Sequence, residues 1–330
     1  IIWKKNSYTK REKKLLPILK FTSNNNQLIV TDSFANYYAM DLNSGEILWE
    51  KNHKVVFISD IKIDKDRFYV IDANNVMNCF SLLDGSKIWE FRSDDDFIKS
   101  QKKLSIVFDE KKVYFNNSRG DIYSLDKEEG SLIWLTPTRD ESDSYQSFLL
   151  KTSKLVLDKN DLFFSNNKDV FFSLDASTGI VKWTQKINSD LKPVIIKNTI
   201  FTISTDGYLF VINKLTGQIV RITDIFQKMR SKNKQKNISM SGFVVGTKKV
   251  YLALNNGKIL EIDIKNLEPR ILMGMFNKEV PDDIYSWISK DVLHDISVDR
   301  DFVKELTFKI LYGASMNTIK KDLDWLYDIE

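Results

Sequence analysis

Leu42-Asn43-Ser44-Gly45-Glu46-Ile47-Leu48-Trp49 is a turn that the chain writes again as Leu83-Asp84-Gly85-Ser86-Lys87-Ile88-Trp89. Two further copies end Glu129-Gly130-Ser131-Leu132-Ile133-Trp134 and Ser177-Thr178-Gly179-Ile180-Val181-Lys182-Trp183. A fifth, Leu215-Thr216-Gly217-Gln218-Ile219-Val220-Arg221, carries arginine in place of tryptophan. Each copy is expected to end one strand at an Asp or Asn (Asp41, Asp84, Asp126, Asp175, Asn213) and to place Gly where a positive φ is cheap. A second strand then runs to the aromatic residue. The Trp-to-Trp distances are 40, 45 and 49 residues, with 38 more to Arg221. Spacing of this kind is the mark of a repeated four-stranded unit, hence a β-propeller.

Further strands precede each turn. They include Gln27-Leu28-Ile29-Val30, Arg67-Phe68-Tyr69-Val70-Ile71, Lys112-Val113-Tyr114-Phe115 and Asp161-Leu162-Phe163-Phe164. Thr199-Ile200-Phe201-Thr202-Ile203 and Lys249-Val250-Tyr251-Leu252 continue the series, so about six units can be counted. Short apolar runs bounded by Asn, Asp and Gly are strands buried on both faces. One such sheet cannot hide its faces alone, whereas stacked sheets hide one another, with Trp49, Trp89, Trp134 and Trp183 between neighbours. Ile1-Ile2-Trp3 already reads like the end of a unit, so the start reads as a truncated or processed terminus.

The turn pattern resembles the blade repeat of pyrroloquinoline-quinone-type propellers. Within that group it is similar to the propeller lipoproteins of the bacterial outer-membrane β-barrel assembly machinery, over residues 1–257. That resemblance implies a non-catalytic scaffold binding protein partners, either barrel-assembly components or nascent outer-membrane proteins, with no cofactor. It also implies a periplasmic, outer-membrane-associated location. Quinone-dependent dehydrogenases share the blade pattern, but they require an adjacent cysteine pair and a calcium-site carboxylate cluster. Cys79 is the one cysteine, and it sits inside a strand pattern as a small buried residue. The two histidines, His53 and His294, stand far apart in sequence. No stretch is long and apolar enough for a transmembrane helix.

Charge is uneven along the chain. Net charge is +4 overall, yet residues 258–330 hold 10 Lys/Arg against 15 Asp/Glu. Three polar stretches read first as solvated surface: Lys10 to Lys14 as a charged loop, Asp94 to Asp96 as another loop, and Thr136 to Gln146 as an excursion between strands. Gln227 to Lys236 is the most basic, a rim loop able to attract anionic lipid or acidic partners.

After Gly257 the turn disappears, and residues 258–330 are expected to form a small, mostly helical segment. Asp263, with Glu268 five and Arg270 seven residues on, resembles the first palm motif of family A DNA polymerases. Arg300, Lys304, Phe308, Tyr312 and Gly313 resemble the fingers helix of the same family. Four-residue steps drift only about 40° around a helix, so two cations lie below two aromatics on one stripe. The resemblance implies that Asp263 holds magnesium and that Glu268, Arg300, Lys304, Phe308 and Tyr312 contact a nucleotide. Residues 249–262 fit both a sixth blade and this motif. The second metal-binding carboxylate motif is absent from the chain, and two-metal phosphoryl transfer needs both, so polymerisation is not expected. Three readings therefore stand: a protein-binding propeller, a cytoplasmic polymerase fragment binding nucleotide or DNA, and a quinone-dependent oxidoreductase.

Overall fold

The computed structural model describes residues 3–4, 8–24, 26–93, 103–138, 152–166, 169–226, 238–246, 249–263 and 302–303. These residues form two compact units, one of residues 1–193 with 204–206 and the other of residues 194–203 with 207–330. The fold is mainly β, a β-propeller built from four-stranded antiparallel blades. The mostly helical segment expected beyond residue 263 lies outside the described residues, apart from a helical pair at 302–303.

Four blades make up the first unit. The first holds β1 (Leu19–Ser23), β2 (Gln27–Asp32), β3 (Asn36–Asp41) and β4 (Ile47–Asn52). The second holds β5 (Lys62–Asp64), β6 (Arg67–Ile71), β7 (Val76–Ser81) and β8 (Lys87–Arg92). In the third are β9 (Ile106–Phe108), β10 (Lys112–Asn116), β11 (Ile122–Asp126) and β12 (Leu132–Thr136). The fourth contains β13 (Val156–Asp158), β14 (Asp161–Ser165), β15 (Phe171–Asp175) and β16 (Val181–Gln185). Each is a simple meander, as short loops between antiparallel neighbours dictate.

The second unit holds a four-stranded blade of β17 (Val194–Ile196), β18 (Thr199–Ile203), β19 (Tyr208–Asn213) and β20 (Ile219–Asp224). It also holds a three-stranded sheet of β21 (Met240–Val245), β22 (Lys249–Leu254) and β23 (Ile259–Asp263). The 249–262 stretch, which fitted two readings, thus runs through strands β22 and β23.

Burial follows position within a blade. The two middle strands are hidden almost completely, as in Phe68, Tyr69, Val70 and Ile71 of β6 or Leu162, Phe163 and Phe164 of β14. The outermost strands alternate instead, with Trp89 and Trp134 turned inward and their neighbours exposed. Opposite each aromatic sits a small or short residue: Ala39 faces Trp49, Cys79 faces Trp89, Ser124 faces Trp134 and Ser173 faces Trp183. The register slips at that pair in every one of these blades. Such a bulge sharpens the local twist and makes room for the indole. The hydroxyls of Ser124 and Ser173 find no hydrogen-bond partner among the described residues. Size, not polarity, selects the residue there, which explains Cys79. Burial pushes the Cys79 thiol up to about 12 and keeps it inert.

Two sequence expectations need correction. Lys10–Lys14 is a short helix, α1, not a loop. Thr9 and Glu12 close a capping box around its first turn: the Glu12 N–H donates to Thr9 Oγ1 (3.3 Å) and the Thr9 N–H to Glu12 Oε2 (2.8 Å). In the second blade the strand ends at Ser81, not Asp84. The N–H of Gly85 donates to Ser81 O (3.0 Å), as that of Gly45 does to Asp41 O (2.9 Å). Asp84 lies inside the turn, where the N–H and hydroxyl of Ser86 hold its carboxyl at about 2.

Candidate functional site

The repeated turn is a socket for the preceding indole. Asp41 Oδ1 accepts the N–H groups of Asn43 (2.9 Å) and Ser44 (2.7 Å), and Asp126, Asp175 and Asn213 do the same in their turns. Gly45, Gly85, Gly130, Gly179 and Gly217 then take φ between +68° and +75°. In the first unit an indole lies directly on the glycine: Trp3 on Gly45, Trp49 on Gly85, Trp89 on Gly130, Trp134 on Gly179. Each indole N–H donates into the same turn, to Leu42 O (2.9 Å), Leu82 O (3.0 Å), Lys127 O (3.1 Å) and Ala176 O (3.1 Å) in that order. Trp3 therefore occupies the place of a blade-closing tryptophan. Trp183 stacks on Phe171 at 5.9 Å and 10°. Arg221, in the fifth copy, donates from Nε to Thr223 Oγ1 (3.1 Å).

These sockets are scaffold, and among the described residues the outermost strands keep one edge unpaired. β4, β8, β12 and β16 each pair on one side only within their sheet. Leu48, Ile88, Leu132, Ile133, Leu135 and Val181 stand exposed on them. Unpaired edges with apolar side chains are the means by which sheets accept an added strand.

Beyond the sockets, the shifted carboxyl of Asp72 serves a turn. His53 Nε2 lies 3.0 Å from Asp72 Oδ2, and Asp72 Oδ1 accepts the N–H groups of Asn74 (2.8 Å) and Val76 (3.1 Å). Burial alone would raise the Asp72 carboxyl, but His53 and those two N–H groups hold it below the usual carboxylate range. A carboxyl that ionises at lower pH when folded adds stability above its unfolded value, about 4, and loses it as the pH falls. Asp72→Asn is therefore expected to cost about 1.5–3 kcal/mol at pH 7, the worth of a charged hydrogen bond. Urea unfolding at pH 7 and at pH 3 should show that gap narrow in acid. An equal gap at both pH values would assign the loss to packing.

Among the described residues no group of three His, Cys, Asp or Glu side chains is placed to hold a metal ion. Asp263 ends strand β23. Glu268, Arg300, Lys304, Phe308 and Tyr312 lie outside the described residues, as do Asp94 to Asp96, His294 and the basic stretch 227–236.

The family described as outer membrane protein assembly factor BamB, a quinone-propeller repeat family, matches residues 1–223. The chain belongs to this family. Among solved structures, BamB from Moraxella catarrhalis superposes with a TM-score of 0.57 at 13% identity, covering 75% of this chain and 84% of that one. The C-terminal WD40 domain of Sif2 gives 0.55 at 13% identity over 76% and 67%. A europium-containing methanol dehydrogenase gives 0.50 at 12% identity over 64% and 52%. At such identities these likenesses speak for the propeller fold alone. No curated protein matches the chain significantly. Among the described residues, no helix is long and apolar enough to cross a membrane.

Proposed function

We propose that the chain is a non-catalytic propeller scaffold of the outer-membrane protein assembly apparatus, acting at the periplasmic face. It takes up barrel-assembly components or nascent outer-membrane proteins along the free edges of its blades. The family match over residues 1–223 carries the reading. The exposed apolar side chains on the edge strands β8 and β12 supply its chemistry, since an extended polypeptide gains backbone hydrogen bonds there and buries Ile88 and Ile133. The test uses purified full-length chain and purified barrel-assembly proteins. Association is expected, and Ile88→Asp with Ile133→Asp should weaken it by about tenfold or more while the melting temperature holds. A folded chain that binds none of these proteins, or a double variant that binds as well as the parent, overturns the reading.

A further inference from the structure

In the first unit the innermost strands β1, β5, β9 and β13 converge on a cavity of about 490 Å³. Its lining mixes apolar side chains, among them Ile63, Phe108 and Leu157, with the polar residues Thr22, Ser23, Lys62 and Lys192. Three more lysines gather beside them. Lys154 pairs with Asp60 Oδ2, and Lys103 Nζ lies 3.6 Å from Asp60 Oδ1. Lys20 Nζ donates to Phe57 O at 2.8 Å and feels both Lys103 and Asp60. Lys62 in turn feels Asp60, Lys154 and Lys192.

Four ammonium groups, of Lys20, Lys62, Lys103 and Lys154, thus feel one carboxylate, Lys192 adds a fifth charge beside Lys62, and Lys154 and Lys103 already neutralise that carboxylate. The surplus positive charge stands in a recess where Lys20 and Lys62 are partly buried, so the field of each group is less screened than in open water. Two lysines register the repulsion. Burial and Lys103 bring Lys20 down to about 8, and burial with Lys154 and Lys192 lowers Lys62. Repelling lysines held together in a recess are relieved by a multivalent anion. Lysines, being point charges without a planar fork, suit the oxygens of phosphate. The volume is that of a small-molecule site.

We propose that this cavity binds a small phosphate-bearing molecule, its phosphates held by Lys62 and Lys192 and its apolar part lying on Phe108 and Leu157. The site is separate from the blade edges, so it stands or falls independently of the protein-binding role.

Inorganic pyrophosphate is the probe, titrated calorimetrically into the full chain at low ionic strength. Saturable binding is expected, weaker as salt rises and stronger than that of citrate. Lys62→Met with Lys192→Met, which keeps the stems and removes the charges, should cut affinity by about tenfold or more. Its melting temperature without anion should equal the parent's or exceed it, since repulsion is removed. At pH 8 the bound anion favours the charged form of Lys20, so binding takes up protons and its heat differs between Tris and HEPES. No binding up to about 1 mM, an unchanged affinity in the folded double variant, or citrate binding as tightly as pyrophosphate would each overturn the proposal.

Discussion

Replacing Trp89 with alanine is expected to lower the unfolding free energy by about 3–5 kcal/mol, the range for deleting a buried aromatic side chain. The indole joins the second and third blades. It packs with Tyr69 at 5.9 Å, Cys79, Leu125 and the third blade's Val113 and Phe115 in one cluster. Its face covers Gly130, and its N–H donates to Lys127 O. The carbonyl of Lys127 keeps a second donor, Arg67 Nη1 at 3.3 Å, so the lost hydrogen bond is the smaller part of the effect. Cavity and lost apolar burial make up the rest. Trp89→Phe should therefore recover most of the loss and leave a deficit of about 1 kcal/mol, the usual net worth of one hydrogen bond. Leu83→Ala, at a side chain 84% exposed in the adjoining turn, should be nearly silent. Urea unfolding of the four proteins checks the series. A loss under about 1 kcal/mol in Trp89→Ala would mean that the blades cohere without their indoles.

The sockets were legible in the sequence because turn, glycine and tryptophan lie within eight residues of one another, and local chemistry fixes each of them. Gly45 needs a positive φ, Asp41 caps two N–H groups, and Trp49 ends the strand that follows. Even so, the second copy misled: Asp84 looks like the strand-ending acid, yet Ser81 holds that place and Asp84 caps within the turn. A further local signal was present but unread. Ala39, Cys79, Ser124 and Ser173 each stand two residues before the strand-ending position, and each leaves room for the indole across the register slip. The Thr9–Glu12 capping box was likewise written in the sequence. The innermost strands were harder, since three residues such as Lys62 to Asp64 show no periodicity. Their lysines were harder still. Lys20, Lys62, Lys103, Lys154 and Lys192 are spread over most of the first unit's sequence. Only the convergence of β1, β5, β9 and β13 brings their charges within reach of one another.

Gly130→Ala is expected to destabilise the chain by about 2–5 kcal/mol, from two causes that can be separated. Gly130 holds φ at +72°, where a side chain with a Cβ costs about 1–2 kcal/mol. The added Cβ would also stand 2.5 Å from Cδ2 and 2.6 Å from Cε3 of Trp89, closer than any real contact. The indole cannot retreat, because its N–H is tied to Lys127 O and its other face meets buried side chains. Overpacking of this kind costs about 1–3 kcal/mol more. The double variant Trp89→Ala with Gly130→Ala removes the collision and keeps the backbone strain. Its loss should fall short of the sum of the two single losses by about 1–3 kcal/mol, a coupling expected only between groups in contact. Additive losses would show that the glycine answers to its backbone angle alone and that the indole does not rest on it.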